Sequence, residues 1–355
     1  MSSREAHTRK ILAVTLGDVR GIGPEVVAKA LTSHRFGEGV IPIVIGVEGA
    51  FTEAIDLIAA NRADWAVTRP SSFFHDLAEF DDLEISLPSH RHIELNIDGS
   101  RDPGRVGRQI TSIPEQEAGR FAGRSVELAV KLAMKGIADA IVTAPLDKRA
   151  LNRGGYRFHG HTEMLKDFTG APSVAMMLIG GALRVTIATT HIPFHRITSE
   201  LTPALLVEKI RLTGEGLIKL FHVPNPVIGL CALNPHAGEG GMVGDEEERL
   251  LLPAVRESET NGIKVKGPMP SDTIFNSCMA GMLDAVVALY HDQGMIPIKV
   301  HAFGRGVNLT LGLPFVRTSP DHGTALDLAW NGVADAGSMI EAFSLAEKLI
   351  GRNEH

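Results

Sequence analysis

Three histidines each follow a short run of buried-strand character. His191 comes after RVTIATT, His236 after VIGLCALNP and His291 after DAVVALY. Open α/β sheets place their ligands beyond the carboxyl ends of the strands. These imidazoles therefore read as occupants of one sheet end. Neutral imidazole is a common ligand for zinc and related divalent ions, and three protein ligands with one open position is a catalytic pattern. The residues are 45 and 55 positions apart, so only the fold, or a subunit interface, could assemble them. The plainer reading, in which each His satisfies its own loop, stays open at this point. Beside them stand two carboxylates, Asp272 in PSDT and Asp292 next to His291. Each is either a general base or a residue that orients a histidine.

A second set is basic and polar: His161 and Thr162 in FHGHTE, Lys299 in IPIKV, Asn308 in GRGVNLTLG and Arg317 in LPFVRTS. Arg offers a fork and Lys a point charge to phosphate or carboxylate oxygens. Ordinary surface charges are the alternative. No GxGxxG follows any strand, and GEGGMVG at 238–244 has the wrong spacing. A dinucleotide would need another loop. DHGTALDLA at 321–329, read as a polar turn entering a helix over 323–330, is the candidate, with His322, Gly323 and Thr324 at its start.

The elements that must carry these groups alternate. Strands are expected at 11–16, 41–46, 138–144, 174–180, 184–190, 227–233, 284–290 and 308–313. Helices are expected at 23–31, 115–136, 203–220, 244–257, 323–330 and 336–350. This pattern predicts α/β layers with largely parallel sheets and a local antiparallel pair around Gly180-Gly181. Residues 62–105 are irregular and suggest no chemistry. The 355 residues suffice for about two domains. With 35 basic against 42 acidic residues the net charge is −7, which argues against a nucleic-acid face. Two cysteines, Cys231 and Cys278, make no disulfide framework, and the N-terminus has no apolar signal core. A cytoplasmic protein without a membrane span is expected.

The strings GDVRGIGPEVVAKAL, IVTAPLDK, GHTE, TTHIPF, LNPHAGEGG, GPMPSDTIF, YHDQG and FGRGVNLTLGLPFVRTSPDHGTALDLA run in order from about 11 to 340. They resemble the 4-hydroxythreonine-4-phosphate dehydrogenase family of vitamin B6 biosynthesis. The resemblance implies an isocitrate/isopropylmalate-dehydrogenase-like fold of two α/β/α domains around a cleft. One would comprise 1–145 plus 305–355. The other, 146–304, would carry most metal ligands and the dimer interface. It implies a homodimer with shared active sites and a divalent metal (Zn, Co, Mg or Mn) on His191, His236 and His291. It further implies substrate contacts from His161, Thr162, Lys299, Asn308 and Arg317, and NAD or NADP near His322, Gly323 and Thr324. The implied reaction oxidises 4-(phosphooxy)-L-threonine to a β-keto acid that decarboxylates to 3-amino-2-oxopropyl phosphate. Relatives that act on D-threonate or D-erythronate 4-phosphate, an aromatic dihydrodiol carboxylate branch and a phosphotransacetylase-like transferase are the alternatives. The sequence departs from the family pattern where GDVRGIGPE replaces GDPAGIGPE and SPDHGTA replaces SVDHGTA. The 62–105 stretch also looks longer than usual. Arg20, in the first of these departures, is expected to face solvent.

Overall fold

The computed structural model describes residues 9–61, 73–74, 93–96 and 110–351. Apart from the two short strands within it, the irregular stretch at 62–105 lies outside the described residues. The chain divides into two compact units: Met1–Gly170 with Pro314–His355, and Ala171–Leu313.

The first unit opens with β1 (Lys10–Thr15), α1 (Gly23–Ser33), β2 (Val40–Gly46) and α2 (Glu48–Asn61). Two short strands follow, β3 (Phe73–Phe74) and β4 (Ile93–Asn96). Then come α3 (Glu115–Met134), β5 (Ala140–Thr143), α4 (Lys148–Arg153) and α5 (His161–Thr169). The second unit runs β6 (Ala175–Gly180), β7 (Leu183–Thr189), α6 (Ile197–Glu200), α7 (Pro203–Phe221) and β8 (Val227–Cys231). It continues with α8 (Leu252–Thr260), β9 (Lys264–Met269), α9 (Ile274–Met279), β10 (Ala285–Tyr290), α10 (His291–His301) and β11 (Val307–Leu311). The chain then returns to the first unit as β12 (Val316–Pro320) and α11 (Gly337–Ile350).

In the first unit the strand order is β3-β4-β2-β1-β5-β12, and every pairing is parallel. Parallel strands buried on both faces read as continuous apolar runs. Leu12, Ala13 and Val14 of β1 are fully buried, as are Ala140, Ile141 and Val142 of β5. α3 packs on β1 and β2, and α11 on β12 and β5. Local chemistry sets the helix starts: Pro24 opens α1, and the Asp147 carboxylate accepts from Ala150 N to cap α4. α4 lies hard against α3 because Gly119 has no side chain; a Cβ there would meet Ala150 O at 1.8 Å. That contact places the segment 146–170 with the first unit.

In the second unit the order is β11-β6-β7-β10-β8-β9. β11/β6 and β6/β7 are antiparallel, whereas β7/β10, β10/β8 and β8/β9 are parallel. The antiparallel pair turns at Gly180-Gly181, as the sequence suggested. β11 pairs with β6 over Val307–Leu311, which ties 305–313 to this unit.

Three expected elements differ. Residues 323–330 form turns and no helix, because Ala325 and Trp330 have φ of 41° and 63° and Trp330 Nε1 donates to Val19 O at 3.1 Å. The helix expected at 244–257 begins as a π-helical turn, Glu247–Leu251, before α8. The structure also has an 11-residue helix, α10, immediately after β10, where the sequence suggested no element. Among the described residues no helix is long and apolar enough to cross a membrane.

Candidate functional site

The strand ends of the first unit hold a buried cation. Arg317 is the second residue of β12, opposite Ile141 of β5, and only 1% of it is exposed. Its guanidinium donates to Thr143 Oγ1 at 2.6 Å. Burial pushes its pKa down to about 9. A charge held out of water at such a cost favours an anionic oxygen as neighbour. His161 opens α5, and its Nε2 is buried with no hydrogen-bond partner among the described residues. Burial, and next the charge of Arg317, holds this imidazole well below its usual pKa, so it is neutral. Thr162 follows on the same turn, half-buried.

A second feature of this unit is the loop after β1. Asp18 is completely buried, and Arg20 forks onto it: Nε to Oδ1 at 3.1 Å and Nη2 to Oδ2 at 2.7 Å. Arg20 N donates to Oδ1 as well. Arg20 therefore does not face solvent; its side chain is 16% exposed, and the hydrogen bond to Asp18 raises its pKa. The pull of a fully buried carboxylate explains the difference, because an ion cannot stay in the interior unpaired. The same loop carries the 321–325 segment. Ile22 N donates to Thr324 O at 2.9 Å, and Gly21 sits flush against Thr324. His322 Nδ1 contacts Gly323 O, while its Nε2 is buried without a partner among the described residues. Lys29 holds the carbonyls of Gly332 and Ala334 farther along the loop. The His322–Gly323–Thr324 stretch is thus a clamped turn, and the helix N-terminus invoked for it is not there.

In the second unit β7, β10 and β8 are successive neighbours, so the residues that follow them emerge side by side. His191 follows β7 with φ of 53°, and His291 begins α10. Their rings lie 5.6 Å apart, tilted by 39°. His291 Nδ1 is hydrogen-bonded to Asp292 Oδ1 at 2.7 Å, which leaves Nε2 as the other ring nitrogen. This is how a carboxylate orients a ligating imidazole. His236 lies after β8 in the exposed turn Pro235–Gly241. Among the described residues no group of three or more His, Cys, Asp or Glu side chains comes together to hold a metal. The structure brings two of the three imidazoles together, and their chemistry fits two ligands of a divalent ion. Asp272 and Asp292 are exposed. Lys299 is half-buried on α10, and Asn308 on β11 has its Oδ1 buried without a partner among the described residues. The basic and polar set is thus divided between the two units.

Sequence reasoning missed the residues that hold these groups. Gln293 is buried: its Oε1 accepts from Leu289 N, and its Nε2 donates to Ala232 O and Ser271 Oγ. It ties the first turn of α10, which carries His291, to the end of β8 and to the loop bearing Asp272. The only signal in the sequence was a Gln directly after His-Asp in YHDQG. Cys231 is buried, which pushes its thiol up to about 12 and leaves it without thiolate character.

Comparison with known proteins places the chain. Residues 41–346 match the family described as pyridoxal phosphate biosynthetic protein PdxA. A 4-hydroxythreonine-4-phosphate dehydrogenase of Desulforapulum autotrophicum is 39% identical over 338 residues, covering 95% of each chain. A D-threonate 4-phosphate dehydrogenase of Cupriavidus necator is 38% identical over 343 residues, covering 96% of this chain and 98% of its own. The crystal structure of a 4-hydroxythreonine-4-phosphate dehydrogenase from Klebsiella pneumoniae superposes with a TM-score of 0.80 at 37% identity, covering 98% of this chain and 99% of its own. A family match over residues 41–346, with relatives this similar over nearly the whole chain, makes the chain a member of the PdxA family.

Proposed function

We propose that the protein is a divalent-metal-dependent NAD(P)+ dehydrogenase. It oxidises 4-(phosphooxy)-L-threonine to a β-keto acid that loses CO2 to give 3-amino-2-oxopropyl phosphate, in the cytoplasmic synthesis of pyridoxine. The observation that carries the reading is buried Arg317 beside neutral His161, an arrangement suited to an anionic substrate group. The relatives' names, both of 4-phosphorylated substrates, support phosphate as that group.

When bound, the metal supplies Lewis acidity at the substrate hydroxyl, and the nicotinamide accepts the hydride. The chain's residues do the rest. Arg317 and Thr143 fix anionic oxygens. His161, being neutral, contributes one hydrogen bond without adding a second charge. Thr162, Lys299 and Asn308 complete the grip on the substrate. Asp292 holds the His291 ring, and Asp272 is the group free to take a proton. The clamped turn at His322–Gly323–Thr324 borders the cofactor.

His191, His291 and His236 form the metal set, completed in a homodimer whose partner supplies part of the site. Exposed apolar side chains support a partner surface: Ile296 and Val300, one turn apart on α10, are 61% and 82% exposed, and Phe303 just beyond is 83% exposed. A second reading, D-threonate 4-phosphate oxidation, is favoured by the Cupriavidus relative.

One experiment tests these readings together. Metal content, oligomeric state and NAD+ or NADP+ reduction are measured with 4-(phosphooxy)-L-threonine, D-threonate 4-phosphate and D-erythronate 4-phosphate. Turnover of the first substrate by a metal-loaded dimer is expected. Preference for either sugar acid would move the protein to the second reading, and activity in the metal-free monomer would overturn the metal and dimer assignments.

A further inference from the structure

The turn that carries His236 has an unusual backbone. Six consecutive residues, His236 to Gly241, have positive φ, at 52°, 56°, 76°, 45°, 67° and 91°. Three of them, His236, Ala237 and Glu239, are not glycine. In this region the Cβ of an L-residue crowds the following carbonyl, so single residues visit it and runs do not. A run of this kind persists only where its surroundings over-determine it.

The surroundings here are one buried carboxylate and one amide. Glu247 is 3% exposed. Its Oε1 accepts from Leu233 N at 2.8 Å and from Asn234 N at 2.7 Å. Its Oε2 accepts from Asn234 Nδ2 at 2.9 Å, and the same amide nitrogen donates to Glu246 Oε2 at 2.7 Å. Asn234 O in turn accepts from Ala237 N, and Gly238 O from Val243 N. Two glycines close over this bracket. A Cβ at Gly238 would lie 2.8 Å from Glu247 Oε2, and one at Gly244 would lie 2.5 Å from Asn234 Nδ2. Among the described residues no Lys or Arg pairs with Glu247. Its charge is met by N–H donors, all three of them from the two residues that lead into the left-handed turn. Such a group fixes geometry, because the donors satisfy it only at one placement of the chain.

We propose that Glu247, acting through Asn234, is a positioning residue for His236: it locks the left-handed turn that presents the imidazole. The inference rests on the reading of His236 as a metal ligand. The side-chain hydrogen bonds of Glu247 go to Leu233 and Asn234. Its role is to hold the entry to the turn at residues 233 and 234, so that His236 does not relax toward the ordinary right-handed backbone. Loss of an outer partner of this kind lowers metal affinity about 10–100-fold.

The test compares Glu247→Gln, Asn234→Ala and His236→Ala in the full-length protein. The probe is Co2+, titrated against a chelator, with the visible absorption of the bound ion read at full occupancy. Apo-protein melting and kcat and KM are measured alongside. Glu247→Gln turns an acceptor toward the Asn234 amide into a donor. It is expected to weaken Co2+ about 10–100-fold and to alter the absorption bands at saturation, which a loss of stability alone would not do. Where Glu247→Gln fails to fold, Gly238→Ala presses on the same carboxylate and is expected to shift the spectrum likewise. If Glu247→Gln and Asn234→Ala bind Co2+ with unchanged affinity and spectrum while His236→Ala does not bind, the positioning role is refuted and the ligand reading stands. If His236→Ala binds as the unaltered protein does, the ligand reading fails and the inference with it.

Discussion

Replacing Arg20 by Ala leaves Asp18 fully buried with its cation gone. Three donors from residue 20 reach that carboxylate: the backbone N, Nε and Nη2. The substitution removes the two charged ones and spares the backbone bond. Breaking a buried pair from one side costs about 3–5 kcal/mol. Arg20 is itself 16% exposed and one hydrogen bond survives, so the lower end applies, about 3 kcal/mol. At roughly 2–4 °C per kcal/mol for a unit of this size, the melting point should fall by about 6–12 °C. Trp330 sits on the loop that the Asp18 loop anchors, and no tryptophan lies between 171 and 313, so tryptophan fluorescence in urea reads the first unit. Adding Asp18→Asn removes the stranded charge and should restore about 2 kcal/mol, a coupling in the range for contacting residues. A single variant melting within about 1 °C of the unaltered protein would mean that the pair is not what holds this loop. A double variant no more stable than the single would place the damage elsewhere than in the unpaired carboxylate.

Two further predictions concern the buried cation and its neighbour. Arg317→Met keeps most of the volume and removes the charge; KM for a 4-phosphorylated substrate should rise about a hundredfold, from roughly 3 kcal/mol of lost charge-assisted bonding. An unchanged KM in steady-state assays would remove Arg317 from the substrate site. His161 titrates lower in the folded protein than in the unfolded chain. Below the unfolded value of roughly 6.5 the unfolded state therefore binds the extra proton, and stability falls with pH by up to about 1.4 kcal/mol per unit. His161→Asn should flatten that slope between about pH 6.5 and 5, and denaturant titrations giving parallel profiles for the two proteins would rule His161 out as its source.

Much of the fold is legible because buried parallel strands write themselves as apolar runs. ILAVTL, ADAIVTA and DAVVALY coincide with β1, β5 and β10 to within a residue or two at each end, and the polar residues that follow locate the sheet end. The failures have a common cause. HDQGMIPIKVH forms α10 although Gly294 and Pro297 both disfavour a helix; buried Gln293 fastens its first turn to the end of β8 and to Ser271. DHGTALDLA has helix-forming composition and yet makes turns, because Ile22 N holds Thr324 O and Val19 O holds Trp330. In both places partners far away in sequence override local propensity.

The candidate site divides along the same line. Residues whose type announces chemistry, such as His191, His291, His161 and Arg317, stand out in a bare sequence. Residues whose work is to hold another residue do not. Asp18, Asn234, Glu247 and Gln293 are ordinary polar letters until their partners are known. Arg20 shows the cost of judging by type alone: a lone Arg after a strand reads as solvent-facing, and it is the buried carboxylate two residues earlier that draws it inside. A buried polar group must be satisfied, so the question to put to each polar residue near a sheet end is which chain segment its hydrogen bonds fix. Applied to Glu247, that question leads to the turn that carries His236.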